Sequence, residues 1–218
     1  MLTTTVQATA ATTAATAAAG TGSQGLWFVS RASGLALLVL LSAVMVLGVA
    51  TRLGSAPARW PRFVFAELHR TLALFLVAFL LLHVLTALLD PFVSIGWAAT
   101  VLPFLSSYRT VAIGLGTLAV DVGGAVLVTS LLRRRLGFGT WRLVHWLAYL
   151  AWPMAFVHSL TAGTDQGIWW VLLIEWACAA AVATAVVARL LAAARNTAPP
   201  SRPSAGFERL TPREGPAR

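Results

Sequence analysis

Five stretches of this chain are long and apolar enough to cross a lipid bilayer, and that pattern restricts the fold more than any other feature. The clearest lies within ELHRTLALFLVAFLLLHVLTALLDP, residues 67–91, which carries no charged residue between Arg70 and Asp90. The five segments cover residues 26–50, 63–89, 110–132, 141–161 and 168–194. Each matches a hydrocarbon core of about 30 Å at a rise of about 1.5 Å per residue. Composition agrees: 58% of the residues are hydrophobic and 11% charged, with a mean hydropathy of +0.80. A soluble domain would carry about 25% charged residues. The predicted fold class is all-α, a polytopic membrane bundle of five transmembrane helices.

The formal charge of +9 comes from arginine alone, since the chain has no lysine. The arginines sit in loops and at segment ends, which is the pattern of topology rather than of nucleic-acid binding. Arg52, Arg59 and Arg62 follow the first segment, Arg133, Arg134 and Arg135 follow the third, and five more lie in residues 195–218. With five spans these regions share one side, which places the N-terminus outside and the C-terminus in the cytoplasm. A plasma membrane location follows, and arginine without lysine in an alanine-rich chain suggests a bacterial source. Residues 1–25, an Ala/Thr tract without a basic start, and residues 195–218, rich in Pro and Arg, read as disordered tails flanking one membrane domain at 26–194. The loop DPFVSIGWAATVLPFLSSYR, residues 90–109, reads as a short amphipathic piece at the membrane surface. The single Cys178, in an apolar helix, allows neither a disulfide framework nor a thiolate cluster.

All four histidines fall in two of the spans. His69 and His83 lie in the second, fourteen residues apart, and His145 and His158 in the fourth, WRLVHWLAYLAWPMAFVHSL, thirteen apart. These spans run in the same direction, so His69 comes level with His145 and His83 with His158. Fourteen residues return to within about 40° of the same helix face and advance about 21 Å, whereas thirteen end about 140° short. Pro153 lies between the second pair, and a kink with local unwinding there would reduce the error. Intramembrane ionisable residues read as functional. Two facing imidazoles can hold one haem between them, filling both axial positions and leaving the iron for outer-sphere electron transfer. A shared zinc or copper site would need its ligands clustered, and the pairs are about 20 Å apart. Gly114 and Gly116 are candidates for making room beside a porphyrin. A metal-ion transporter, a haem-based sensor and structural histidines are the readings from other classes.

The paired histidines, with FLSSYRTVAIGLGTLAVD, TSLLRRRLGFGTWRLVHWLAY and HSLTAGTD, resemble the ferric reductase-like transmembrane domain, the haem module of ferric reductases and NADPH oxidases, over residues 27–190. The resemblance implies two b-type haems, an inner one on His69 and His145 and an outer one on His83 and His158. It implies electrons passing from a cytoplasmic flavin to an acceptor on the outer face, with ferric iron reduction as the default activity. The residues after the fifth segment carry no Gly-rich phosphate loop, so FAD or FMN is expected on a partner, either a separate flavin reductase or, in place of flavin, a membrane quinol donor. The same form is similar to the haem-bearing membrane subunit that feeds an extracytoplasmic methionine sulfoxide reductase. Partners are otherwise membrane lipid and an extracytoplasmic acceptor.

Four arginines are candidate haem-propionate contacts: Arg70 and Arg142 at the cytoplasmic ends of the histidine-bearing helices, and Arg31 and Arg109 on the outer side. Asp121 and Glu175 each read either as a proton relay or as a hydrogen-bonded neutral acid. Trp27, Trp97, Trp169 and Trp170 read as interfacial anchors.

Overall fold

A computed structural model describes the backbone of residues 2–53, 62–91, 93, 95–163, 165 and 167–197, and the side chains of these from Gln24 to Arg195, Arg62 excepted. Every regular element among them is helical. Helix α1 spans Leu2–Leu53, α2 Arg62–Leu89 and α3 Thr110–Leu131. The short α4, Arg133–Leu136, leads through Gly137 into α5, Phe138–His145. Helix α6 covers Ala148–Ala162 and α7 Trp169–Thr197. Five helical stretches qualify as membrane spans: Gln24–Leu53, Phe63–Leu89, Thr110–Leu131, Phe138–Ala162 and Trp169–Arg195. Over the described residues the chain is thus an all-helical membrane protein of five spans.

The amino-terminal tract expected as an unstructured tail is drawn as the beginning of α1, in keeping with the helix propensity of alanine. The side chains of residues 2–23 lie outside the described residues, as does nearly all of the 195–218 segment.

Helix α1 is the organising element. It packs along α2 on one flank and against α7 and α6 on the other, while α3 packs along α6 and α5. The apolar core sits where α1, α6 and α7 meet, around Leu38, Met45, Trp152, Cys178 and Val182. There the buried Trp152 indole donates to Ser42 Oγ at 2.9 Å, and Ser42 donates to the Leu38 carbonyl. The side facing α2 is hollow. Among the described residues no large side chain is completely buried, and a cavity of about 1660 Å³ runs between α1, α2, α3 and α6.

The fourth span is two helices rather than one. Across the break, Leu147 N–H donates to Val144 O, Tyr149 to Trp146 O and Leu150 to Leu147 O, all three residues back. This is 3-10 winding one turn ahead of Pro153, whose missing N–H leaves Tyr149 O without its usual helical partner. The expected unwinding is therefore replaced by tightening. A 3-10 residue turns about 120° and rises about 2.0 Å, against about 100° and 1.5 Å in an α-helix. Both differences carry a thirteen-residue spacing toward the reach and facing of a fourteen-residue one.

The end of the bundle that carries loops 90–109 and 163–168 is called the upper end here, and the end with Arg133–Arg135 the lower. Loop 90–109 folds down onto α3. A 3-10 turn at Trp97–Thr100 buries Ala99, whose carbonyl accepts from Thr117 Oγ1 at 2.8 Å. Phe104, at φ 66°, lays its ring against Gly114, where a Cβ would collide with it.

Candidate functional site

The cavity brings the histidines together in two pairs. Ring centroids of His83 and His158 are 6.3 Å apart near the upper end, and those of His69 and His145 are 6.4 Å apart near the lower. The rings of each pair are steeply inclined, at 83° and 60°. All four line the same cavity. At about 1660 Å³ the cavity exceeds the about 300–1,000 Å³ of a usual ligand pocket. Among the described residues no three His, Cys, Asp or Glu converge as a metal-binding group. The histidines stand in twos.

Three of the four are oriented by the same local device. His83 Nδ1 lies 2.9 Å from Ser30 O, His69 Nδ1 3.0 Å from Val44 O, and His158 Nδ1 2.7 Å from Ala112 O. A carbonyl only accepts, so each Nδ1 carries a proton, which in a neutral imidazole leaves the lone pair on Nε2. In every case the residue four positions after the carbonyl is a glycine: Gly34, Gly48 and Gly116. In an α-helix the Cβ at that position stands beside the carbonyl. Its absence leaves a notch into which the ring fits. A Cβ on Gly116 would come within 2.7 Å of His158, one on Gly34 within 2.9 Å of His83, and one on Gly48 within 3.3 Å of His69. Of the two glycines expected to make room for a porphyrin, Gly116 thus receives a histidine and Gly114 receives Phe104.

These features fit a haem sandwiched by two imidazoles. With metal–imidazole bonds of about 2 Å and about 1 Å from ring nitrogen to ring centre, two imidazoles on one metal put their centroids roughly 6 Å apart. Donation of the other ring N–H to a backbone carbonyl is the usual support of a metal-binding histidine.

His145 departs from this pattern. Its Nδ1 is buried without a hydrogen-bond partner, and its ring stacks on Trp141 at 5.0 Å and 29°.

The arginines divide. Arg31 lines the cavity and pairs with Asp165, Nε to Oδ2 3.0 Å, with a longer contact to Ala162 O. Arg109 stands outside the cavity lining and donates to Thr161 O at 2.6 Å and Gly163 O at 3.2 Å, closing the end of α6. Arg70 and Arg142 line the lower cavity, and Arg142 also lies over the Phe138 ring. Glu175, 4% exposed, accepts a hydrogen bond from Ser159, the neighbour of His158. Asp121 is exposed on the outer face of α3, away from the cavity.

Sequence reasoning passed over Gly34, Gly48 and Arg189. The glycines repeat the fourteen-residue spacing of His69 and His83 on the neighbouring span, a signal that was present. Arg189 reaches from α7 over the rings of Trp146 and Tyr149, at 4.9 and 5.7 Å, and lines the cavity. Its signal is a charge inside the fifth apolar segment.

Among known proteins, the family profile described as "Ferric reductase like transmembrane component" matches residues 33–160, a stretch that contains all four histidines. No curated protein and no solved structure matches the chain.

Proposed function

Because the chain belongs to the ferric reductase-like transmembrane component family, we propose that it carries electrons across a bacterial plasma membrane on two bis-histidine haems b. His83 and His158 would hold one haem and His69 and His145 the other. Bound there, each haem supplies a one-electron couple. The observation that carries this reading is the pair of 6.3 and 6.4 Å imidazole spacings within one cavity.

The chain's own residues define the rest. Val44, Ser30 and Ala112 hold the Nδ1 protons of three histidines, which leaves Nε2 of each neutral ring free to serve as the ligand. Held by one histidine from each of two helices, a haem would leave its iron closed to small molecules and would supply outer-sphere electron transfer. Arg70 and Arg142, which line the lower cavity, would hold the propionates of the lower haem, and Arg31, which also keeps Asp165, those of the upper. Arg109 is assigned to the end of α6. With the N-terminus outside, the lower pair faces the cytoplasm. Electrons then enter from a cytoplasmic flavoprotein or membrane quinol and leave to an extracytoplasmic acceptor, with ferric iron the family's default.

Visible spectroscopy of the detergent-purified protein tests this. The expected result is a reducible six-coordinate b-type spectrum with two haems per chain, and His83→Ala should remove one haem and leave the other. A colourless protein, from cells able to supply haem, would refute the reading.

A further inference from the structure

We propose that Trp141 is the positioning residue of the lower haem site, holding His145 by ring stacking because the notch that serves the other three histidines is closed at the fourth. The inference rests on the haem reading above.

The missing notch can be located by register. On α1 the two carbonyl–glycine notches, Ser30/Gly34 and Val44/Gly48, repeat at fourteen residues. On α3 the notch at Ala112/Gly116 receives His158, and fourteen residues further on stand Val126 and Ser130. Serine therefore occupies the position where the other three notches have glycine. The side chain of Ser130 also takes the carbonyl itself. Its Oγ donates to Val126 O at 2.6 Å, and Thr129 Oγ1 adds a second contact to the same oxygen at 3.2 Å. The helical N–H takes one lone pair of that carbonyl and the Ser130 hydroxyl, standing in the notch itself, takes the other, so this carbonyl is closed to a histidine. Among the described residues, His145 Nδ1 is accordingly the buried side-chain polar atom without a hydrogen-bond partner.

A different support takes over. Ser130 Oγ accepts the Trp141 indole N–H at 3.2 Å, fixing the indole against α3. The indole then stacks on the His145 ring at 5.0 Å from its position one helical turn earlier on α5. The Arg133 guanidinium lies over the same indole, 5.2 Å from its ring centre, and Phe138 packs at 5.4 Å. The fourth imidazole is thus oriented through its face, whereas the others are oriented through a nitrogen. An imidazole whose second N–H makes no hydrogen bond is the less basic ligand. The two haem sites are therefore chemically unequal.

The test compares Trp141→Leu with Trp141→Phe in the full-length, haem-loaded protein, read by haem per chain and by electron paramagnetic resonance of the ferric state. Trp141→Leu is expected to lose the lower low-spin signal, by release of the haem or conversion to a high-spin form, and to keep the upper one. Trp141→Phe, which preserves a ring over His145, is expected to keep both. Two unchanged low-spin signals in Trp141→Leu would overturn the proposal while leaving the two-haem reading intact. A wild-type protein without haem would instead remove the premise. Should Trp141→Leu fail to accumulate, nitrogen-15 resonances of the reduced, diamagnetic wild type decide. Three hydrogen-bonded Nδ1–H groups and one without a partner support the proposal, and four hydrogen-bonded groups overturn it.

Discussion

A histidine in hydrocarbon is costly unless its second nitrogen is satisfied, and here a backbone oxygen does so at three positions. The carbonyls of Ser30, Val44 and Ala112 sit within helices and each takes an imidazole beside its helical hydrogen bond, Ser30 sharing its oxygen with the Ser33 hydroxyl as well. Glycine four residues later gives the ring access, so a single methyl group at these sites should be felt. Gly116→Ala and Gly34→Ala place a Cβ under 3.0 Å from a ring atom, whereas Gly48→Ala leaves 3.3 Å. The first two are expected to cost about 1–3 kcal/mol by overpacking and to lower haem occupancy of the upper pair. Gly48→Ala should be milder and should affect the lower pair. Thermal melts and haem-to-protein ratios of the three variants check the order. At this scale the histidines were legible in the sequence because their residue type is rare in apolar segments. Their acceptors were not, since a carbonyl belongs to every residue and carries no sequence mark.

At the scale of elements, the fourth span shows how a spacing that looks wrong on an ideal helix can serve. Proline at 153 was readable from the sequence, but the sign of its effect was not. The 3-10 contacts at Leu147, Tyr149 and Leu150 lie on its N-terminal side and overwind the chain between His145 and His158. Pro153→Ala would restore an N–H for Tyr149 O and favour regular α-helix through the break. Alanine is better than proline by about 3 kcal/mol within a helix, so helical circular dichroism should hold or rise. The two histidines would nonetheless rotate out of their common face, and one bis-histidine signal is expected to weaken. Retention of both signals at full strength would assign the winding to packing rather than to proline. The other four spans fall within a few residues of their expected limits, because apolar length specifies a membrane helix with little help from its neighbours.

For the whole molecule, the notable property is its uneven filling. The α1–α6–α7 side is packed, while α2 is the least buried of the five spans and borders the cavity along its length. Such a bundle depends on what it holds. A ligand present at about 1,000 times its dissociation constant adds about 4 kcal/mol to stability. Haem-depleted protein should therefore melt at lower temperature, and amide hydrogen exchange should accelerate most in α2. Uniform acceleration across all spans would argue against the cavity as the source. The upper end has its own closure. Arg31 with Asp165 and Arg109 with the last carbonyls of α6 tie three segments that no sequence motif announced as neighbours.

The matched fourteen-residue intervals of α1 and α2 also bear on how chains of this kind can change length. Removing or adding a residue between His69 and His83 would put one imidazole out of phase with its receiving groove. A compensating change of the same size between Gly34 and Gly48 would restore the fit to the grooves, because the partner helix runs the opposite way at the same rise, while the facing of His145 and His158 would need its own adjustment. Insertions and deletions in these two segments should therefore arise as coupled events, so the two helices form a single unit of inheritance, like the two halves of a zip cut to one length.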